Sequence, residues 1–380
     1  MLNPGFIHCR LPKRAHPSAK RTASRGLVRT TSLVLTLVFG AAVPALATTR
    51  SPHISNGKST TPIEKGRAFY KGQTLTMLAA GAAGGAIDLP FRLLATAIGS
   101  YLHATVNVED IVPGASIPEQ DTLAASTPNG LTIGWINALS DASFVLTKTA
   151  GLNFNPAREA YLAEEDGSLD VLVAQPHTLA NFAALKSSSS EISTLTETSG
   201  SVNTILRVML GVLGVKANYI SGYSSTTAET QGFARGDGQL VMLGLSNIGP
   251  LIAGGLAVPI AVTAKPPKGL AYAKYLAGVP TLAQLLATYP AKTKALANQY
   301  TALTALQSLL GVTIATQTSV AQDKVDALRA AFAWAFKQKS VQQSLLNIGD
   351  NPNSASPTTA KQLFIQALKI GPTVVQYMAQ

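Results

Sequence analysis

The stretch TLTMLAAGAAGGAIDLPFRLLA, Thr74–Ala95, joins an apolar run to a glycine-rich turn and then to residues with helical spacing. Its pattern predicts a buried strand, a short loop and a helix. Glycines allow backbone N–H groups to come close to a ligand. A helix N-terminus offers unpaired N–H donors and the positive end of the helix dipole. The stretch therefore predicts either an anion site or a simple strand-to-helix turn.

The glycine spacing argues against a nucleotide site. Gly81, Gly84 and Gly85 form G-x-x-G-G, whereas a dinucleotide fingerprint needs G-x-G-x-x-G. A phosphate-binding P-loop needs Lys followed by Ser or Thr, and Ile87-Asp88 stands at that place. The anion expected here is therefore one other than a nucleotide phosphate.

Asp88 has two predicted roles. It precedes Leu89-Pro90, so its carboxylate can cap the helix by accepting backbone N–H groups, which is a preferred role of Asp. Alternatively, the carboxylate contacts a donor group on a ligand. Both roles stay open at the level of sequence.

The rest of the chain repeats the strand–helix order and predicts an α/β fold. Alternating segments of this kind favour parallel strands with helices on both faces. Two such units, with a return strand near 257–264, predict two lobes separated by a cleft. The predicted strands are 75–79, 105–111, 130–137, 170–174, 215–220, 239–243 and 257–264; the predicted helices are 89–102, 118–125, 179–185, 202–213 and 226–234, with further helices opening at Ser319 and at Ser356-Pro357.

Several other strand-to-helix loops carry glycine and hydroxyl residues. In parallel α/β units such loops gather at the carboxyl edge of the sheet. Together they predict a site rich in backbone N–H and hydroxyl donors. The candidate ligand-binding residues are Gly84, Gly85, Asp88, Ser116, Asn137, Ser199, Gly200, Ser201 and Ser246.

The net charge of +11 is concentrated at the N-terminus. Residues 1–47 hold seven basic and no acidic residues, so the remainder carries 23 basic against 19 acidic residues. The remainder has no basic stripe with interleaved aromatic residues, which argues against nucleic-acid binding. The basic segment, the apolar run LVLTLVFGAAVPALA and the small residues Ala45-Leu46-Ala47 predict a signal peptide cleaved after Ala47. The alternative is an uncleaved anchor helix, for which the run is short.

Catalytic and metal-binding patterns are weak. The single cysteine, Cys9, lies in the predicted leader, and the five histidines have no metal-ligand spacing. No nucleophile elbow occurs. Glu164-Glu165-Asp166 is predicted to be a solvated surface turn rather than a pair of catalytic carboxylates. We therefore expect no enzyme activity and no cofactor.

The order of the loops resembles the substrate-binding proteins of tripartite tricarboxylate transporters, the Bug-type extracytoplasmic receptors. Ala82–Asp88 followed by Arg92–Ala95 resembles the "AAGG-x-x-D" and "RLLA" motifs of that family. Pro113-Gly114-Ala115 resembles its "PGA" loop. The other matching segments are LTIGWIN, TSGSVNT, GDGQLVM and VPTLAQ. This chain departs from the family at Tyr223-Ser224-Ser225, where a Tyr-Lys-Gly stretch is usual.

The resemblance implies a type II periplasmic-binding fold with two α/β lobes, a hinge and a cleft. It also implies a monomeric periplasmic receptor that holds a di- or tricarboxylate and delivers it to membrane transporter subunits. A ligand-binding sensory component that signals to a membrane histidine kinase is the alternative. The predicted organisation is a signal peptide at 1–47, a linker at 48–72, lobe 1 at 73–170, lobe 2 at 171–262, and the lobe 1 return with C-terminal helices at 263–380.

Overall fold

The computed structural model describes residues 60–112, 116–147, 155, 158–197, 201–292, 294–307 and 311–378. The predicted signal peptide lies outside these residues. The strands within them, numbered along the chain, are β1 Thr74–Ala80, β2 Thr105–Ile111, β3 Thr132–Ile136, β4 Glu159–Ser168, β5 Asp170–Ala174, β6 Ile192–Glu197, β7 Ala217–Tyr223, β8 Leu240–Gly244, β9 Val258–Val262, β10 Val312–Gln317 and β11 Asp350–Ala355.

The helices cover the faces of the sheets, as the predicted α/β order requires. They are α1 Pro62–Tyr70, α2 Asp88–Leu102, α3 Ile117–Ala125, α4 Ala138–Thr147, α5 Phe182–Ser187, α6 Ser201–Val212, α7 Thr226–Arg235, α8 Leu245–Ala253, α9 Leu282–Thr288, α10 Lys294–Gln307, α11 Gln322–Ala335, α12 Lys339–Ile348 and α13 Pro357–Met378. None of these helices, in the part of the chain described, is both long and apolar enough to cross a membrane.

The strands form two mixed sheets. The first has the order β11-β4-β10-β3-β1-β2, and the second has the order β7-β6-β8-β5-β9. β1 pairs in parallel with β2 and β3, and β6 pairs in parallel with β7 and β8. The chain therefore reverses its winding direction between β1 and β3 and again between β6 and β8. Ligands of open α/β sheets bind beyond the carboxyl ends of strands at such reversals.

Apolar residues from the helices and strands form the core of each sheet. Around the first sheet, Leu75 and Met77 of β1 pack with Phe91 of α2 and Phe332 of α11, all fully buried. Around the second sheet, one cluster also includes Leu282 of α9 and residues of α13. Leu282, Leu285 and Leu286 of α9 thus pack with residues of the second sheet, and the predicted return to lobe 1 at residue 263 stays a prediction.

Helix α1 occupies part of the stretch that we predicted to be a linker. Thr61 and Glu64 form a reciprocal capping box at its start, and Tyr70 at its end is fully buried. Gly66 lies so close to α11 that an added Cβ would clash with the carbonyl oxygen of Asp323. The linker prediction is therefore wrong for residues 62–70: the outer face of the helix is polar, while its inner face packs closely on α11.

Two further local predictions are wrong. Glu164 and Glu165 lie in β4, where they are 4% and 0% exposed, rather than in a surface turn. Helix α11 begins at Gln322, with Ala321 at its N-cap position, so the helix predicted to open at Ser319 starts three residues later. In contrast, α13 opens at Ser356-Pro357 as predicted, and the Ser356 Oγ caps it by accepting the Thr359 N–H at 3.1 Å.

Candidate functional site

The glycine loop after β1, Ala80–Ile87, is a tight turn with defined hydrogen bonds. The Gly85 N–H donates to the Ala82 carbonyl at 2.9 Å, which closes a four-residue turn. Gly84 occupies the third position of this turn with φ of +77°. That conformation matches the third position of a type II turn, where glycine avoids the clash of a Cβ. The turn therefore requires glycine at position 84. Gly85 does not adopt a left-handed conformation, so the backbone of the turn does not require glycine there.

Asp88 stabilises this loop from the first turn of α2. Its Oδ2 accepts the Gly84 N–H at 2.7 Å, and its Oδ1 lies 2.6 Å from the Nε of Arg92. The side chain is 2% exposed. The helix begins at Asp88 itself, and the preceding Ile87 makes no side-chain capping bond. The N-cap role predicted for Asp88 is therefore wrong, because its carboxylate holds the loop rather than the helix end.

Arg92 connects the loop to the neighbouring strand. Its Nη2 lies 2.8 Å from Oδ2 of Asp110, close to the end of β2. Burial, and the nearby Asp88 carboxylate, raise the pKa of Asp110, while Arg92 opposes this shift. The arginine thus lies between two carboxylates and fixes the positions of two adjacent strand ends.

The role of Asp88 leads to a graded prediction. Asp88→Asn keeps an oxygen acceptor for the Gly84 N–H and loses the ion pair, so we expect a loss of at most about 1 kcal/mol in the free energy of unfolding, since Arg92 is half exposed. Asp88→Ala loses both contacts and should cost about 2 kcal/mol. Urea unfolding of both variants measures the difference. Equal losses would mean that the bond to Gly84 contributes nothing.

The N–H donors available for a ligand differ from those we predicted. The N–H groups of Gly84 and Gly85 are already used within the loop. In contrast, no described residue accepts a hydrogen bond from the N–H groups of Ala86 and Ile87, which directly precede α2. The loop N–H groups that remain available for a ligand are therefore those of Ala86 and Ile87, next to the N-terminus of α2, rather than those of Gly84 and Gly85.

A second helix N-terminus, from the other sheet, faces the same loop. Ser225 caps α7, its Oγ accepting the Ala228 N–H at 3.2 Å. A methyl group added at Gly85 would lie 3.6 Å from Oγ1 of Thr227 and 3.7 Å from Oγ1 of Thr226. Gly85 thus permits close approach of a loop on the first sheet to a helix on the second.

The N-terminus of α7 also carries unused donors. The Thr227 hydroxyl is buried and has no hydrogen-bond partner among the residues that the structure describes. No described residue accepts from the backbone N–H groups of Thr226 and Thr227. Our sequence interpretation treated these threonines only as helix residues. The signal that would have revealed them is the run Ser224–Thr227, which supplies four consecutive hydroxyls directly after β7.

Two predicted site residues of the first sheet have structural roles. Ser116 is 1% exposed, and its Oγ donates to Oδ1 of Asp141 at 2.5 Å. Asn137 follows β3, and its Oδ1 accepts the Ser140 N–H at 3.1 Å in the first turn of α4. Burial raises the pKa of Asp141 to about 7, although hydrogen bonds from Ser116 and Gln120 oppose the shift. Any contact of these two residues with a ligand stays a prediction.

The remaining predicted residues come from the second sheet. Ser246 lies in the first turn of α8, where Gly349 approaches it so closely that an added Cβ would stand 2.9 Å from the Ser246 nitrogen. Any contact of Ser246 with a ligand stays a prediction. Ser201 begins α6. Ser199 and Gly200 lie outside the described residues.

The site lacks the side-chain groupings of a metal centre. Among the residues that the structure describes, no three His, Cys, Asp or Glu side chains are grouped so that they could hold a metal ion. Hydrogen-bond donors at two helix N-termini dominate the arrangement instead. Such donors bind anions.

Comparison with known proteins identifies the fold. No family model matches the chain, and no curated protein matches it. Among solved structures, the periplasmic binding protein BugD is 17% identical, covering 81% of this chain and 97% of its own, with a TM-score of 0.64. Rpa4515 of R. palustris, solved with adipate, is 16% identical over 80% of this chain and 97% of its own, also at 0.64. The chain has the periplasmic-binding-protein fold.

A third solved structure of this fold is MatC (Rpa3494) from Rhodopseudomonas palustris with bound malate. It is 16% identical, covers 80% of this chain and 99% of its own, and has a TM-score of 0.60. The predicted fold class is therefore confirmed. The glycine loop and α7 belong to the two different sheets of this fold.

Proposed function

We propose that this chain is an exported solute-binding receptor of the Bug type that captures a small organic carboxylate. The observation that carries the proposal is the approach of two helix N-termini, from different sheets, around Gly85. Each contributes backbone N–H groups without a described acceptor, and α7 adds the unpartnered hydroxyl of Thr227. We infer that the ligand carboxylate accepts from both groups of donors.

The physical chemistry of this arrangement suits a carboxylate. Hydrogen bonds to an ionised acceptor are shorter and about twice as strong as neutral ones. Each helix N-terminus adds about 0.3–1 kcal/mol of favourable interaction with a negative charge. Since the donors belong to both sheets, a bound carboxylate stabilises the closed arrangement of the two lobes, and selectivity follows from this shift in population.

The comparisons support the ligand class. Rpa4515 and MatC, which share this fold, were solved with adipate and malate. Both ligands are small dicarboxylates. We propose that a compound of this class binds here, with bridging waters accommodating differences in chain length.

The cellular role forms the second part of the proposal. The predicted signal peptide directs the chain across the membrane, and the receptor then delivers its ligand to membrane transporter subunits. The basic segment and small-residue cleavage pattern at 1–47 support export. Co-purification of the exported chain with two membrane subunits, dependent on ligand, tests the delivery step.

Ligand binding can be tested with a panel of di- and tricarboxylates that includes malate, adipate and citrate. We expect at least one to raise the melting temperature of residues 48–380. Gly85→Val should weaken its binding at least about 100-fold, because the added Cβ would lie 2.9 Å from the Ala82 carbonyl oxygen and its methyl groups would fill the space before α7. Thr227→Val should weaken binding of the same acid about tenfold, because the hydrogen bond from the Thr227 hydroxyl to the ligand is lost.

A matched control is available on another helix. Thr288 of α9 is exposed, and its Oγ1 donates to the Gln284 carbonyl within the helix. Thr288→Val should leave binding unchanged. The proposal fails if no acid of the panel shifts the melting temperature, or if Thr288→Val weakens binding as much as Thr227→Val.

A further inference from the structure

A cavity lies away from the glycine loop. It is open to solvent, has a volume of about 460 Å³, and is bordered by α11, the beginning of α12 and the edge strand β11. We call it the α11–β11 pocket. Its volume falls within the range of small-molecule sites. None of its lining residues belongs to the loops at the carboxyl ends of β1, β3, β6 or β8.

The pocket arises from an irregularity in β11. This strand lies at the edge of the first sheet, and its pairing with β4 is interrupted between Asn351 and Ser354. Pro352 has no N–H to contribute to the pairing. A bulge at an edge strand bends the strand locally, and such bulges occur frequently beside binding sites. Pro352 and Asn353, the two residues of the interruption, both line the cavity.

The lining combines an apolar wall with two basic side chains. Ala333, Pro352 and Pro357 supply the apolar surface that is open to the cavity, and Arg329 and Lys337 supply positive charge. No Asp or Glu is among the described lining residues. Lys337 is exposed, and no described residue pairs with its ammonium group. The pocket therefore presents a positive rim beside an apolar wall.

The guanidinium of Arg329 is held in place. Its Nε donates to the Tyr161 carbonyl at 2.9 Å. On the same helix, Asp326 lies 3.8 Å from its Nη1, a long and half-exposed pair that neutralises little of its charge. A fixed guanidinium loses little conformational freedom when it binds a carboxylate.

The beginning of α13 adds to the positive field. Ser356 and Pro357, which line the pocket, stand at the N-terminus of this 22-residue helix. The positive end of the helix dipole therefore points toward the same space as the two basic side chains. The helix dipole adds to the attraction for an anion, while Arg329 and Lys337 supply most of the positive charge.

We propose that the α11–β11 pocket is a second binding site, for an amphipathic organic monoanion with an aromatic or branched body and one carboxylate. The body packs on Ala333, Pro352 and Pro357, and the carboxylate lies between Arg329 and Lys337. This ligand class differs from the small dicarboxylates proposed for the glycine loop, because the pocket offers an apolar wall in place of a second helix N-terminus.

The test uses 3-phenylpropionate as the probe, with the chain of residues 48–380, by isothermal titration calorimetry and ligand-observed NMR. We expect saturable binding with Kd on the order of 1 mM, as suits a ligand of this size. Lys337→Glu and Arg329→Gln should each weaken binding at least about fivefold. Lys339→Glu makes the same charge change at an exposed residue that does not line the pocket, and should leave Kd unchanged.

Three results would overturn the proposal. The first is the absence of saturable binding up to about 20 mM probe. The second is equal weakening by Lys337→Glu and Lys339→Glu, which would indicate a general charge effect. The third is loss of probe binding in Gly85→Val with no loss in Lys337→Glu, which would place the probe at the glycine loop. Melting temperatures of all variants establish that each is folded.

Discussion

Gly349→Ala should lower the free energy of unfolding by about 3 kcal/mol or more. Gly349 ends α12 with φ of +93°, a conformation that costs an L-residue roughly 1–2 kcal/mol. A Cβ at this position would also stand 2.9 Å from the nitrogen and 3.1 Å from the Cα of Ser246. Since these are backbone atoms of α8, no side-chain rotation relieves the contact, and the corner between α12 and β11 must move.

Gly236 provides the matched control. It ends α7 in the same left-handed conformation, with φ of +85°, and an added Cβ there meets nothing within 4 Å. Gly236→Ala should therefore cost only the backbone strain. Urea unfolding of both variants separates strain from contact. Equal losses at the two positions would contradict the close approach of Gly349 to α8.

The free energy of unfolding should fall as the pH rises from about 5 to about 8, opposite to the common behaviour of proteins with ion-paired carboxylates. Burial raises the pKa of Asp141, Glu164 and Asp170 to about 7. Burial also raises the pKa of Glu165 well above its usual value, with Asp350 and Asp166 adding to the shift. The native state thus holds protons that the unfolded state releases near pH 4.

The sign follows from proton linkage. Between the unfolded and folded pKa values, the native state binds more protons, so each unit of rising pH favours unfolding. The stabilising effect of protonation is complete below the unfolded pKa and is lost as pH rises through the folded pKa. Differential scanning calorimetry at pH 5, 6.5 and 8 should give a declining melting temperature across the series.

Glu165→Gln isolates one of these groups. Both Glu165 carboxylate oxygens are buried, and no described residue forms a hydrogen bond with them. Its replacement by a neutral amide should raise the free energy of unfolding at pH 8 by about 1–3 kcal/mol relative to the parent and flatten the pH dependence. Glu191→Gln makes the same change at an exposed position and should leave the slope as it is. An unchanged slope in Glu165→Gln would assign the pH dependence to other groups.

The sequence predicted the elements around the glycine loop closely because several local signals coincide there. An apolar run ends at the glycines, and residues at helical spacing follow Asp88, so β1 and α2 were predicted to within one residue at each end. Helix α1 was missed because its polar outer face, together with the Ser and Thr before it, is typical of a linker. Its packing on α11 joins residues far apart in sequence.

The details of the site depended on tertiary contacts that local patterns do not carry. Charged residues are usually solvated, so the buried Glu164 and Glu165 contradict a rule that is correct for most chains. Asp88 is a residue type that often caps helices, but in the structure its carboxylate binds the Gly84 N–H of the loop. Thr226 and Thr227 gain their significance only from Gly85, which lies about 140 residues earlier in the sequence and on the other sheet.

Under the proposed function, the chain of contacts from Gly84 through Asp88 and Arg92 to Asp110 has a consequence for the kinetics of capture. It holds the loop in its turn by bonds within the protein, so an arriving solute need not immobilise the backbone. A recognition surface that is set in advance loses little conformational entropy on association. Loosening this chain of contacts should therefore slow the bimolecular association step and leave the escape rate of the bound solute nearly unaltered.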